Sequence, residues 1–250
     1  MIVTTDHGAV RDLRLDRPPV NAISPELVAA LHDAVTRAPG EGVRALVLSG
    51  SPGRFSGGLD VPILVDFDRP AMERLWQDFY RLLLALAASP IPIVAAITGH
   101  SPAGGAVLAT YCDYRIMAKG DFRIGFNEVQ VGIPMPLAIL RCVSRLVGPR
   151  QAERLCGGGL LIPPEEAYRI GLVDEVYPLD AVVERAVDWA NGMIVLPPNA
   201  MSQTRKAARA DIVRTMEEGL ATEKELLVNN WFSEETQTML RAIVARMKKK

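Results

Sequence analysis

The chain has 250 residues, 49% of them hydrophobic and 23% charged, with a formal net charge of −1. That length and balance suit a globular protein with a sizeable core, either one large domain or a domain with a smaller appendage. Nothing in the near-neutral charge suggests a nucleic-acid surface, and no uninterrupted apolar run reaches about 18 residues, so no membrane span is expected.

Ser24 followed by Pro25 fits an N-cap with a proline in the first turn, and the spacing predicts a helix over 25–37. The β-rich run 43–49 ends in the turn cluster Gly50-Ser51-Pro52-Gly53. A helix is expected over 70–88, a buried strand over 91–98, a helix over 103–112 and a strand over 114–118. Helix 137–147, a short strand over 173–177 and helix 181–191 complete the alternation. Strands alternating with helices argue an α/β fold. Beyond Pro197-Pro198 the pattern is helical only, over roughly 199–208, 213–230 and 233–248. This divides the chain into a core, 1–196, and a helical C-terminal region, 197–250. Such a tail can pack on a neighbouring copy or fold back on its own core.

Cys112, Cys142 and Cys156 are odd in number and widely spaced, which reads as reduced thiols. His7, His32 and His100 are scattered and no C-x-x-C pair occurs, so no metal site is expected. The first residues lack a basic region followed by an apolar stretch. A cytoplasmic protein, or the mature form of an organellar matrix protein, is the expectation.

Three stretches carry chemistry. Gly53-Arg54-Phe55-Ser56-Gly57-Gly58-Leu59-Asp60 follows a strand, and its paired glycines let the backbone present N–H groups to a ligand. Gly99-His100-Ser101-Pro102-Ala103-Gly104-Gly105 also follows a strand and opens a helix, whose first N–H groups lack internal partners. An ordinary turn or close helix packing would use the same glycines. Together, the two turns can supply two N–H donors to one carbonyl oxygen. Glu128 is the only acid between Ile124 and Arg141, an otherwise largely apolar region. A desolvated carboxylate is a stronger base, although an isolated glutamate is more often simply exposed. One base suits moving a proton on a carbonyl compound better than adding water, which wants a second group to hold and split the water.

The turn at Ser101 imitates a hydrolase nucleophile elbow, but that fold needs a histidine after the serine, and none follows His100. No G-x-G-x-x-G follows a strand and no Walker loop is present, so dinucleotide and nucleotide-hydrolysis readings have no support.

Taken together these stretches resemble the crotonase (enoyl-CoA hydratase/isomerase) superfamily over nearly the whole chain. The likeness starts at Leu15-Asp16-Arg17-Pro18-Pro19-Val20-Asn21-Ala22-Ile23 and continues through Phe55 to Asp60 and Gly99 to Asp113. It ends with Glu128 to Pro134 and Gly171-Leu172-Val173-Asp174-Glu175-Val176. Within the superfamily the mitochondrial-type Δ3,Δ2-enoyl-CoA isomerase branch is most similar. The resemblance implies a spiral of ββα units with a helical C-terminal region that builds trimers or pairs of trimers. It implies an oxyanion hole from the N–H groups of Leu59 and Gly104, with Glu128 as the base. The substrate would be an acyl-CoA, with CoA as part of the substrate rather than a cofactor, gripped near Val20, Ala22, Gly57 and Leu59. The first of the two hydratase glutamates matches Val107, and the aspartate of other isomerase branches falls at Met135-Pro136. Arg54 or the terminal lysines are candidates for the CoA phosphates, and Trp76, Phe79, Tyr80, Phe126 and Leu137 for the acyl pocket. A weak hydratase, a decarboxylase, a thioesterase or a non-catalytic CoA-binding scaffold are the rival classes.

Overall fold

In the computed structural model, which describes residues 1–247, an antiparallel hairpin comes first, β1 (Ile2–His7) against β2 (Val10–Leu15). The sequence reading missed both strands, because β1 is an exposed edge whose polar residues hide the alternation. Helix α1 (Pro25–Arg37) spans the residues expected, with the Ser24 hydroxyl accepting the Leu27 N–H at 3.3 Å.

Three ββα units follow. β3 (Ala45–Ser49) and β4 (Gly53–Arg54) lead to α2 (Val61–Leu64) and α3 (Arg69–Ala88). β5 (Ile93–Ile97) and β6 (Gly99–Pro102) lead to α4 (Gly104–Thr110). β7 (Tyr114–Ala118) and β8 (Ile124–Gly125) lead through a 3-10 turn, Glu128–Val131, to α5 (Leu137–Val147). Next come α6 (Pro149–Ala152), a π turn at Glu153–Gly157, β9 (Leu161–Ile162), α7 (Pro164–Arg169), β10 (Glu175–Tyr177) and α8 (Val182–Ile194). The first strand of each unit joins a six-stranded sheet, β1-β2-β3-β5-β7-β10, and the second joins a four-stranded sheet, β4-β6-β8-β9. Both sheets are mixed: β1–β2 and β8–β9 run antiparallel and the other pairs parallel. This is the α/β spiral of ββα units that the resemblance implies. The second sheet was largely invisible in the sequence, since two-residue strands carry no periodicity.

Central strands β3 and β5 are buried on both faces and therefore read as continuous apolar runs. Period-two alternation sorts them between two cores. Leu46, Leu48, Ile93 and Ile97 face the main core with α1 and α3, while Val47, Val94, Ala96 and Ile116 face α8.

The tail consists of α9 (Pro198–Ala208), α10 (Ala210–Thr222), α11 (Lys224–Trp231) and α12 (Glu234–Met247). The single helix expected over 213–230 is two, because the chain bends where Glu223 turns inward. Its carboxylate accepts the Tyr80 hydroxyl at 2.8 Å and the Ala138 N–H at 2.9 Å. The tail folds back on its own core: α10 and α11 lie on α3, and α10 also lies on α5. Buried Arg209 fastens it by donating to the carbonyls of Ala87 at 3.0 Å and Tyr111 at 2.5 Å. The last residue of the expected helix 233–248 lies outside the described residues. Among the described residues no helix is long and apolar enough to cross a membrane.

Candidate active site

Segments from along the whole chain meet at one cavity of about 360 Å³, within the size range of small-molecule sites. The first wall is a pair of stapled loops. Asn21, itself left-handed at φ 52°, accepts the Arg17 N–H at 2.8 Å and donates its amide to the Phe55 carbonyl at 3.1 Å. The Ser56 hydroxyl donates to the Asn21 carbonyl at 2.8 Å, and the Gly57 N–H to the Val20 carbonyl at 2.7 Å. Val20, Ala22, Gly57 and Leu59 all line the cavity in consequence. Arg17 lines it too and is paired with buried Asp60 at 2.6 Å.

The second wall is the turn from β6 into α4. Its apex, Ala103, holds φ 48° and ψ −123°, a region that residues with a Cβ rarely occupy and that clusters at functional sites. The Ala103 N–H donates to the Gly125 carbonyl at 2.8 Å, which pins the turn. The hydrolase reading fails here on geometry as well: the apex carries only a methyl, and the Ser101 hydroxyl is fully buried without a partner.

The two walls touch. Gly58 is left-handed at φ 83°, and a methyl built on it would stand 3.1 Å from the Ala103 methyl and 3.4 Å from the Gly104 nitrogen. A methyl built on Gly104 would stand 3.6 Å from the Leu59 nitrogen. Leu59 bridges Ile23, with the Gly58 carbonyl accepting from Ile23 and the Asp60 N–H donating to Ile23. In such a bridge the N–H of the middle residue points the other way, toward α4. Neither the Leu59 nor the Gly104 N–H donates to a protein acceptor among the described residues.

Glu128 opens the 3-10 turn after β8 and lines the same cavity. As a whole the residue is half-buried, but its Oε2 is wholly buried and has no hydrogen-bond partner. Burial pushes the carboxyl up to about 7, against a small downward pull from its own backbone N–H. The Cys156 thiol, held at about 12 by burial and then by the Glu128 charge, stays protonated nearby. Asn127 also lines the cavity with its Oδ1 buried and unpartnered, a polar group that the sequence reading did not single out. Val107 is buried in the cavity wall where the resemblance would need a second glutamate, and Pro136 lines it where other branches carry an aspartate.

Trp76 and Phe79 of α3 stand in the wall as expected. Three other acyl-pocket candidates do not. Tyr80 turns to Glu223, Phe126 is wholly buried in the core, and Leu137 is half exposed on the outside of α5. Helical spacing alone could not distinguish cavity wall from core. Their places are taken by Val131, Ile133, Ile139, Ile243 and Met247. Arg54 is exposed and stands outside the cavity wall, where Arg17 is the arginine present, and the terminal lysines lie outside the described residues. Among the described residues no cluster of His, Cys, Asp or Glu could hold a metal ion, and all three cysteines are buried free thiols.

Chemically, the site pairs one desolvated carboxylate with two unpaired backbone donors across an apolar cavity. It can take a proton from carbon next to a carbonyl and hold the charge that develops on oxygen.

Known proteins share this arrangement of chain. The chain is 33% identical over 237 residues to human mitochondrial enoyl-CoA delta isomerase 1, covering 93% of this chain and 77% of the relative. It is 34% identical over 206 residues to a probable enoyl-CoA hydratase of Mycobacterium tuberculosis, covering 80% of this chain and 76% of the relative. The crystal structure of human mitochondrial Δ3-Δ2-enoyl-CoA isomerase superposes with a TM-score of 0.94 at 30% identity, covering 99% of this chain and 98% of that one. The enoyl-CoA hydratase/isomerase family model matches residues 5–249. The fold, the order of the elements and these matches agree, and the chain belongs to the enoyl-CoA hydratase/isomerase family.

Proposed function

We propose that this family member is a Δ3,Δ2-enoyl-CoA isomerase, which moves the double bond of a 3-enoyl-CoA into conjugation as trans-2-enoyl-CoA. The observation that carries the reading is that Glu128 lines the cavity with no cation paired to it among the described residues and its Oε2 buried and unpartnered, while Asp60 in the same wall is paired with Arg17 and Val107 takes the place a second acid would need. The thioester carbonyl sits between the N–H groups of Leu59 and Gly104. Glu128 removes a proton from C2, the electron pair of that C–H bond forms C1=C2, and the carbonyl pi pair moves onto the oxygen, leaving C3=C4 conjugated with the enolate. The dienolate is stabilised by the two donors, each worth roughly 3 kcal/mol in a comparable oxyanion hole. Glu128 then returns the proton to C4. One carboxylate serves both carbons because they lie on one side of a planar dienolate. The apolar wall raises the basicity of Glu128 and keeps water from the intermediate.

CoA belongs to the substrate and threads along Val20, Ala22, Gly57 and Leu59, with Arg17 at the same wall. We further propose a homotrimer or pair of trimers. The support is that helix α9 has no buried residue and that Val195 and Leu196 beside it are exposed. A cytoplasmic or organellar matrix location suits the free thiols.

The test is a 3-enoyl-CoA followed by the absorbance of the conjugated thioester, repeated with Glu128→Gln. Fast conjugation that the variant loses supports the reading. No conjugated product from wild type refutes it. A hydratase reading has the mycobacterial relative in its favour, and it predicts loss of the same absorbance when 2-enoyl-CoA is supplied.

A further inference from the structure

The cavity around Glu128 is walled mainly by residues from the first ββα units and α5, yet two side chains come from the far end of the chain. Ile243 and Met247 of α12 complete the wall. Helix α12 reaches it by lying against α2 and against the 128–131 turn. Thr236, wholly buried, donates its hydroxyl to the Gly132 carbonyl at 2.6 Å. Gly132 ends the Glu128 turn with a left-handed φ of 76°, and its approach is so close that a methyl there would stand 3.0 Å from the Thr236 Cα. The Ser233 hydroxyl accepts the Thr236 N–H at 3.2 Å and fastens the start of the helix. Positions 236, 240, 243 and 247 are three or four apart and so share one face of the helix. The first two, Thr236 and Leu240, are wholly buried anchors, and the last two roof the cavity.

A roof has a chemical consequence for a one-base transfer. Between the two proton steps the migrating proton rests on Glu128 as a carboxylic acid. If water touches that acid, the proton exchanges with solvent before it reaches C4. An apolar roof disfavours the exchange and offers the carboxylate no donors that would weaken it as a base. Resting on the isomerase reading above, we infer that Ile243 and Met247 are positioning residues that keep water off Glu128 during the transfer, so that the proton taken from C2 is the one returned to C4.

The experiment runs the isomerisation of a 3-enoyl-CoA in D2O and reads deuterium at C4 of the product by mass spectrometry. Wild type is compared with Ile243→Ser, Met247→Ser and the double variant. Both side chains are at least partly exposed, so the substitutions spare the closed core. Wild type is expected to carry little solvent deuterium, and the double variant about threefold more or higher as water enters. Deuterium content equal to wild type in the double variant overturns the inference, and so does a wild type already saturated with deuterium. A second readout needs no turnover. The Glu128 carboxyl is titrated by difference infrared spectroscopy against Glu128→Gln, and opening the roof is expected to lower its midpoint from about 7. An unchanged midpoint in the double variant also overturns the roof. A wild type that forms no conjugated product refutes the isomerase reading, while the titration still decides the roof.

Discussion

Replacing Glu128 by glutamine removes the charge and keeps the shape, so it isolates what burial of this carboxylate does to the fold. Burial raises the carboxyl from 4.5 to about 7. That displacement is roughly 2.5 in pKa, and at about 1.36 kcal/mol per unit an ionised Glu128 weakens the fold by about 3 kcal/mol. The folded protein holds the proton more tightly than the unfolded chain does. The stabilisation is therefore complete below pH 4.5, falls as pH rises and is gone above about 7. Glu128→Gln should match wild type at pH 4 and exceed it by about 3 kcal/mol at pH 8 in urea denaturation. Over the same range the wild-type rate runs the other way. Only the ionised base accepts a proton, so kcat/KM should climb to a plateau above pH 7 and stand near a tenth of it at about pH 6. Equal stability of the two proteins at pH 8 would refute the reasoning, because it would mean that water or a protein donor already solvates the carboxylate.

The remaining predictions concern the frame around this base. Gly104→Ala adds a methyl beside the Leu59 nitrogen and 2.8 Å from the movable end of Ile23; kcat/KM in the conjugation assay should fall by about 10²–10³-fold, far more than any change in urea midpoint. Ala103→Gly relieves the backbone at φ 48° and should raise stability by about 1 kcal/mol, read from the urea midpoint. Asn21→Ala removes the staple between the two loops and leaves the Arg17 N–H and Phe55 carbonyl without their partner. It should cost about 2–4 kcal/mol of stability and raise KM for the acyl-CoA several-fold, measured in the same assay.

How far the fold could be read in advance depended on length and burial. Strands 114–118 and helices 25–37 and 137–147 match to the residue, since each is a continuous apolar run or a capped amphipathic helix with a clear end. The second sheet was lost because β4, β8 and β9 have two residues each, and period-two alternation needs more. The bend at Glu223 was lost for another reason. Nothing local breaks the helical pattern there, and the break comes from a carboxylate reaching Tyr80 and Ala138, far away in the chain. The site divided along the same line. The two glycine turns and the lone acid Glu128 stood out in the residues themselves, whereas Leu59 and Gly104 as the paired donors came only with the family resemblance. Tyr80 and Phe126 misled because apolar spacing marks burial without saying whether a side chain meets core or cavity.

The part of the site furthest from reach of sequence is also the part that tunes it. An acid in an apolar stretch suggests a raised basicity, but neighbours in sequence do not desolvate Glu128. Val129 and Gln130 beside it are exposed. The apolar wall it shares comes from Val107 on α4, from Ile133 and Ile139, and from Ile243 and Met247 more than a hundred residues on. Any one of these changes leaves Glu128 in place and alters only its access to water, so the chemistry of this cavity is decided less by the base than by what closes over it. Position 107 makes the point most directly. A side chain that could hold water there would stand in the wall shared by Glu128 and Gly104, and the buried valine present offers water no hydrogen-bond partner. On the proposed isomerase reading, the same carboxylate, donors and fold then favour moving a proton over adding water.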